Sequence, residues 1–210
     1  KEIKIALFTD LHGEWYGKNQ QTLIHALDAA SPDLVLFGGD MFTENKKYDH
    51  TILIMQELSK KYPCYYVTGN HEYWSGDIDN ILSIVNDTGV NILSGGACDV
   101  IEINGQTINL CGVDDPDGLM YQENFSAITE QLRAASDSAD RTNYPILLSH
   151  RPELIKNYSA LEFDLILSGH AHGGQWRIPY VLNGLYAPNQ GLFPEYAGGK
   201  YESRNTTMIV

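Results

Sequence analysis

The sequence is poor in basic residues. Lysine and arginine together number 14, against 27 aspartates and glutamates, which gives a formal net charge of −13 at pH 7. Proteins that grip the nucleic-acid backbone without sequence preference need clustered lysine and arginine. We therefore expect no stable nucleic-acid binding, whereas an enzyme whose acidic residues bind metal ions is compatible with this balance.

Long apolar runs are also missing. No stretch approaches the roughly 18 apolar residues that predict a membrane-spanning helix, and no signal-peptide pattern opens the chain. The chain begins at Lys1 rather than methionine, enters a strand-like run at Ile3 and stops on a strand-like segment, 208–210. We expect a shortened chain with an unfinished last strand. Membrane association through a segment outside this chain, and a cytoplasmic or extracytoplasmic location, therefore stay open.

Cysteine is scarce. The three cysteines, Cys64, Cys98 and Cys111, show no Cys-x-x-Cys spacing, and an odd number suits no closed disulfide framework. The cysteine count slightly favours a reducing compartment, or a protein whose cysteines do not depend on the redox state of its compartment. Pairing of two of the three stays open.

The remaining composition is that of an ordinary globular protein. The 210 residues are 43% hydrophobic and 20% charged, which excludes disordered and low-complexity classes and predicts a single domain, 1–210. Short apolar runs alternate with helix-period segments, which predicts an α/β fold. The Asn104-Gly105 turn predicts a hairpin. The predicted strands are 3–9, 34–37, 64–67, 99–103, 106–111, 146–148 and 165–167, and the predicted helices are 19–30, 48–60, 77–88 and 122–138.

Five predicted strands end in polar residues, which we call the strand tips. Because ligand sites lie where the carboxyl ends of strands converge, these residues are expected to meet at one edge of a sheet. They offer oxygen and imidazole ligands without thiolate, which suits divalent metals such as Mn, Fe, Co or Zn. The Asp40 carboxylate has enough lone pairs to bridge two ions. The tip residues are Asp10, His12, Asp40, Asn70, His71, His150, His170 and His172.

Each tip alone has an ordinary structural explanation. Gly38-Gly39-Asp40 fits a simple turn, Asn70 fits a helix cap and His150 fits a buried core histidine. Two histidines among glycines, as in 169–174, have little packing purpose. Five of the seven histidines fall at strand tips, and this combination favours a metal site.

Five motifs surround these tips. They are Phe8-Thr9-Asp10-Leu11-His12, Gly38-Gly39-Asp40, Gly69-Asn70-His71-Glu72, Ser149-His150-Arg151-Pro152 and Gly169-His170-Ala171-His172-Gly173-Gly174-Gln175. In this order, over 3–177, they resemble the calcineurin-like metallophosphoesterases. The last motif is most similar to the bacterial branch of membrane-associated phosphohydrolases. The resemblance implies one catalytic domain, a four-layer αββα sandwich, with a two-metal site at one edge.

The resemblance also implies a ligand set and a reaction. One divalent ion (Mn, Fe or Zn) would be held by Asp10, His12, Asp40 and His172, and a second by Asp40, Asn70, His150 and His170. The implied reaction is hydrolysis of a phosphoester or pyrophosphate bond by a hydroxide that both ions share. His71 would protonate the leaving alkoxide as general acid.

The family pattern is broken at Thr43. Family phosphatases often carry an aspartate three residues after the bridging aspartate, where it orients the acid histidine, and Thr43 stands at that position. Glu44, another acid or a different support would then hold His71. The departure concerns the acid step and leaves the implied metal site intact.

Substrate contacts are less specific. Arg151 and Arg177 are candidate phosphate-binding residues, although Arg151 could instead support the His150 loop. Loop aromatics beside the motifs either wall a cleft or pack on the rim. The expected partner is a phosphorylated small molecule or a lipid-linked substrate. Two alternatives stay open: a metal-binding module of this fold without catalysis, and a nuclease of the same fold.

Overall fold

The computed structural model describes residues 2–120, 126–178 and 180–210. Its strands are β1 (Ile5–Phe8), β2 (Leu34–Gly38), β3 (Cys64–Val67), β4 (Asn91–Ile92), β5 (Cys98–Ile103), β6 (Gln106–Gly112), β7 (Tyr144–Leu148), β8 (Leu165–Leu167), β9 (Tyr186–Ala187), β10 (Gly191–Leu192), β11 (Lys200–Ser203) and β12 (Thr206–Ile209). Its α-helices are α1 (Gln21–Ala30), α2 (Asp49–Ser59), α3 (Asn70–Trp74), α4 (Ile78–Asp87), α5 (Pro116–Met120), α6 (Ser126–Ser138) and α7 (Ile155–Tyr158). Short 3₁₀ turns cover Lys18–Gln20, Pro152–Leu154 and His172–Gly174. The start of the predicted helix 122–138 lies partly outside the described residues.

The first sheet is parallel throughout, in the order β1-β2-β3-β4. Phe8 lies opposite Phe37, and Gly38 lies opposite Val67, so the first three strands end at nearly the same level. The residues that follow these strands are therefore neighbours in space. This alignment brings the first three strand tips together.

The second sheet has the order β11-β12-β8-β7-β6-β5. Its four central strands are parallel, and an antiparallel strand lies at each edge. Gly112 pairs with Leu148, and Leu148 pairs with Leu167, which aligns the ends of β6, β7 and β8. The strand-like segment predicted at 208–210 falls at the end of β12, which pairs with β8 on one side and with β11 on the other.

Three apolar clusters separate four layers. One cluster fills the space between the first sheet and α1, α2 and α4, through residues such as Phe37 and Met55. The second lies between the two sheets and joins Leu36 to Leu148. The third lies between the second sheet and α6 and α7, where Leu147 meets Leu132. Helices, sheet, sheet and helices follow one another, which confirms the predicted αββα sandwich.

The hairpin of β5 and β6 carries a disulfide between Cys98 and Cys111, while Cys64 is free and buried. This resolves the pairing that the cysteine count left open. It also weakens the slight preference for a reduced compartment, because disulfides persist in oxidising ones. Among the described residues, no helix is both long enough and apolar enough to span a bilayer.

Candidate metal centre

The strand tips of both sheets meet at one edge of the sandwich. Two groups of side chains there could each hold a metal ion, and within each group the ligand atoms lie within 4.8 Å of one another. Asp40 belongs to both groups. The groups are Asp10, His12, Asp40 and His172, and Asp40, His150 and His170.

Close contacts connect ligand atoms from four separate tips. Oδ2 of Asp40 lies 3.1 Å from Nε2 of His150 and 3.9 Å from Nε2 of His12. Nδ1 of His170 lies 3.2 Å from Nε2 of His150. On the other side, Nε2 of His172 lies 3.5 Å from Oδ1 of Asp10. The topology thus unites residues that are up to 162 positions apart (10 to 172).

The donor set fits a cation. Nε2 of His12 and Oδ1 of Asn70 are buried without a hydrogen-bond partner, and the buried Oδ2 of Asp40 faces Nε2 of His150. Nδ1 of His150 lies 2.7 Å from the carbonyl oxygen of Gly38 and must donate there, which directs Nε2 toward Asp40. Buried acceptors that face one another are costly unless a proton or a metal ion lies between them. Carboxylate, imidazole and amide ligands without thiolate match a borderline or hard divalent ion.

The backbone of these tips is unusual. Five proposed ligands have φ values between 49° and 65°, in the left-handed region that few residues other than glycine adopt. They are Asp10, His12, Asp40, His170 and His172. Main-chain bonds between tips hold this conformation: the N–H of Asp10 donates to Gly39 at 3.1 Å, and that of His12 donates to Asp40 at 2.9 Å. Such strain is common at functional sites.

Gly39 permits the close approach of three tips. Its φ is +90°, and a Cβ there would lie 2.7 Å from the nitrogen of Gly69 and 2.8 Å from Nδ1 of His150. Both distances are shorter than real Cβ contacts. Only glycine therefore lets the Asp40 loop pack against the Asn70 and His150 loops.

Burial and nearby charges shift the pKa values of His150 and His170 in opposite directions. Burial would lower the pKa of His150, but the Asp40 carboxylate outweighs burial and raises that pKa to about 10. Burial and, next to it, the charge of His150 lower the pKa of His170 to about 4. Burial also lowers the pKa of His12. At neutral pH His170 is thus already in the neutral form that a metal ion requires.

His71 is held at the edge of the cluster by the segment that departs from the family pattern. Its Nδ1 lies 2.9 Å from Oε2 of Glu44 and 2.9 Å from Oγ1 of Thr43. Its backbone N–H donates to Oδ1 of Asp40 at 2.9 Å. The rings of His71 and His12 are 4.6 Å apart, so His71 lies beside a proposed ligand. Of the supports considered from the sequence, Glu44 is the acid in contact with His71.

Residues 3–174 match the family model of calcineurin-like phosphoesterases. The chain belongs to this metal-dependent family. The match covers all five motifs as far as Gly174 and confirms the family resemblance.

Curated relatives carry family names of the same kind. A protein of Helicobacter pylori strain J99, named an uncharacterized metallophosphoesterase, is 35% identical over 213 residues, which cover 100% of this chain and 53% of that protein. A protein of Aquifex aeolicus with the same name is 32% identical over 205 residues, covering 95% and 75% respectively. A protein of Bos taurus, named a transmembrane protein with metallophosphoesterase domain, is 26% identical over 221 residues, covering 99% and 47%. The chain spans about half the length of the Helicobacter and Bos relatives.

The two arginines proposed from the sequence have different surroundings in the structure. Arg151 is buried, and its Nε and Nη2 lie 2.5 and 2.8 Å from the two carboxylate oxygens of Asp115. Nη1 of Arg151 is 3.4 Å from Nε2 of His170. This geometry favours the alternative that Arg151 supports the histidine loops. Arg177 is exposed and lines a pocket together with Asp10 and His172.

Three residues that support the proposed ligands and their loops were not identified from the sequence. Asp115 follows β6 and shares the pattern of the other strand tips, so the same argument applied to 114–115 would have found it. Glu72 accepts four backbone N–H groups, from Gly69, Asp40, Met41 and Phe42, at 2.8–3.0 Å. Asn189 places Oδ1 2.8 Å from Nε2 of His170, which leaves Nδ1 of that ring for the cluster. No local sequence pattern marks Asn189.

Loop aromatics also surround the centre. The ring of Trp74 lies 4.8 Å from that of His71, and its Nε1 donates to Asp117 at 2.9 Å. The ring of Trp15 lies 4.1 Å from that of His50, which is not a proposed ligand. Trp74 is therefore the aromatic side chain that these contacts place next to the proposed acid, and a cleft-wall role stays a prediction.

Proposed function

We propose that the chain is a phosphohydrolase that uses two divalent ions, Mn, Fe or Zn, to cleave a phosphoester or pyrophosphate bond. The observation that carries the proposal is the sharing of Asp40 by two ligand groups. One carboxylate between two groups is the arrangement expected when two ions lie close together. Asn70 completes the second group, since its buried Oδ1 has no other partner.

The ions would stabilise charge on the phosphoryl oxygens and acidify a water molecule. The protein residues position them: Gly38 fixes the ring of His150 through its carbonyl oxygen, and Asn189 fixes that of His170. The hydrogen bond from the backbone N–H of His71 to Oδ1 of Asp40, at 2.9 Å, sets the distance between the proposed acid and the shared ligand. Ligands and acid are therefore positioned together by the fold.

His71 is proposed to protonate the leaving oxygen. Glu44 and Thr43 both contact Nδ1, which leaves Nε2 as the ring atom available for proton transfer. The Glu44 carboxylate accepts the Nδ1 proton and thereby fixes the orientation of the ring. The side chain of His71 is 24% exposed, so a substrate can reach it.

The test combines elemental analysis with a substrate panel. Purified protein is treated with chelator, reloaded with Mn²⁺, Zn²⁺ or Mg²⁺, and assayed on a phosphomonoester, a phosphodiester and a pyrophosphate. We expect bound metal and metal-dependent turnover of at least one substrate, with Asp40→Asn as the inactive control. Protein that binds no metal and hydrolyses none of the three would overturn the proposal.

Other outcomes of the same panel identify the alternatives. Metal binding without turnover would indicate a non-catalytic metal-binding module. Turnover of DNA that falls steeply with salt would indicate a nuclease, against the expectation from a net charge of −13. A phosphorylated small molecule or a lipid-linked phosphate remains the proposed substrate class, and placement in the membrane-associated branch remains part of the proposal.

A further inference from the structure

A pocket of about 290 Å³ opens beside the first ligand group. Asp10 and His172 form part of its wall. Arg177 also lines the pocket and is the only arginine among the lining residues. Asp40, His150 and His71 are not among those residues. The reacting phosphoryl group is expected at the shared Asp40, so the pocket lies to one side of the reaction.

Arg177 is held in place before any ligand binds. Its Nη2 donates to Oδ1 of Asn183 at 2.5 Å. Asn183 in turn donates to the hydroxyl of Tyr201 at 2.8 Å and to the carbonyl oxygen of Gly198 at 3.2 Å. A Cβ on Gly198 would lie 3.1 Å from Nη1, so glycine lets the guanidinium lie close against the backbone. A side chain fixed in this way loses little entropy when it binds a ligand.

The charge of Arg177 is not matched by an acidic partner. Within the described parts of the chain, no carboxylate oxygen lies within 4 Å of its guanidinium nitrogens. Arg141 and Arg151, by contrast, pair with Glu162 and Asp115. An arginine left without a carboxylate in a protein of net charge −13 is available to bind an anion from outside.

We propose that Arg177 and its pocket bind a second anionic group of the substrate, distinct from the phosphoryl group that reacts. The inference rests on the proposed hydrolase function and adds a specificity residue to it. The ligand chemistry is a phosphate or carboxylate attached to the group that the enzyme cleaves. A planar guanidinium binds either group through two parallel hydrogen bonds.

The experiment compares Arg177→Gln and Arg177→Lys with the unaltered Mn²⁺-loaded protein on three substrates. 4-Nitrophenyl phosphate carries only the reacting group, 3-phosphoglycerate adds a carboxylate, and a nucleoside diphosphate sugar adds a second phosphate. Arg204→Gln is the matched control, because Arg204 lies in the β11–β12 turn at the end of the second sheet opposite the tips.

We expect Arg177→Gln to raise KM at least tenfold on a substrate with a second anion and less than twofold on 4-nitrophenyl phosphate, with kcat nearly unchanged. Arg177→Lys should recover part of the loss, and Arg204→Gln should show none. The substrate whose KM rises identifies the second anion as phosphate or carboxylate. Equal losses on all three substrates, or no loss on any, would overturn the proposal.

Failure of the proposed function has a different signature. In that case the unaltered protein hydrolyses none of the three substrates. Their dissociation constants, measured by calorimetric titration into the Mn²⁺-loaded protein, then decide the role of Arg177 on their own. A tenfold weaker affinity of Arg177→Gln for the two-anion ligands alone would support the pocket, and equal affinities would refute it.

Discussion

Nδ1 of His71 and Oε2 of Glu44 lie 2.9 Å apart, at the edge of the cluster of proposed metal ligands. The family pattern would have an aspartate one position earlier, where this chain has Thr43. Thr43 contributes its hydroxyl to the same nitrogen, and that hydroxyl also donates to Glu44 at 3.0 Å. A longer acidic side chain, from the next residue, thus reaches the position that the pattern assigns to the aspartate.

This pair predicts a leaving-group effect. Glu44→Gln should lower kcat about tenfold on an alkyl phosphate, whose leaving oxygen needs a proton, and less than twofold on 4-nitrophenyl phosphate, in keeping with general-acid contributions of about 100-fold or more. His71→Asn should show the same selectivity with a larger loss. Steady-state kinetics on both substrates measures it. The control is Glu57→Gln, because Glu57 of α2 forms only an exposed ion pair with Lys60, the residue after that helix. Equal losses on both substrates would contradict the acid role.

Metal stoichiometry should distinguish the shared ligand from the unshared ones. His172→Asn removes a ligand of the first group only. The purified variant should therefore retain about one metal ion per chain where the unaltered protein holds two. Asp40→Asn removes the carboxylate common to both groups and should leave less than one. Asparagine tolerates the left-handed backbone of Asp40, so the fold should survive. Plasma emission spectrometry of the purified variants gives the ratio, and equal stoichiometries would count against a shared Asp40.

Metal affinity should rise with pH through His150. The Asp40 carboxylate raises the pKa of His150 to about 10, so a metal ion must displace a proton from this ring at neutral pH. Competition with one proton strengthens binding about tenfold per pH unit below that pKa. Chelator competition between pH 7.5 and 9, corrected for the chelator's own protonation, measures the slope. An affinity that is flat over this range would show that His150 is already neutral.

The stability of chelator-treated protein should change in the opposite direction. A histidine whose pKa is raised from 6.5 to about 10 by folding contributes its full stability below about pH 6.5 and loses it as pH rises toward 10. Thermal unfolding of the chelated protein should therefore occur at lower temperature at pH 9 than at pH 7. His150→Asn should remove most of this difference.

We expect replacement of Glu72 to lower the stability of the fold rather than to affect catalysis directly. Its carboxylate is buried and accepts four backbone N–H groups, which join the Asp40 loop to the start of α3. Burial and the charge of Asp40 raise its pKa, while the amides oppose the rise. Glu72→Gln places an amide NH₂ against two of these donors and should cost about 3 kcal/mol of unfolding free energy. Denaturant unfolding checks the value, and the exposed Glu102→Gln should stay within about 0.5 kcal/mol.

The strand tips could be predicted because parallel strands direct every following loop to the same edge. The runs before Asp10, Asp40, Asn70, His150 and His170 are short and apolar, so the sequence locates the residues that the structure brings together. Their role as ligands remains a prediction. The four longer helices, α1, α2, α4 and α6, were predicted to within a few residues over the described part of the chain, since each carries an apolar face. The short helices α3, α5 and α7 were not predicted.

The unpredicted features depend on register or on irregular loops. Pairing of Ile103 with Gln106 across the Asn-Gly turn sets Cys98 opposite Cys111, a consequence of the hairpin register that the sequence analysis left open. Asn189 approaches His170 from a loop without regular periodicity, and only the folded chain brings them together. The partner of Arg151 depends in the same way on the path of the chain after β6.

The left-handed conformations of five proposed ligands have an evolutionary consequence. A residue other than glycine in this region costs about 1 kcal/mol or more, so the proposed metal centre is built at a cost in stability. Replacing His172 by glycine would remove a proposed ligand and relieve that strain. A descendant that had lost the proposed chemistry in this way would then fold about as well as its ancestor, and the loss would not show in expression or solubility.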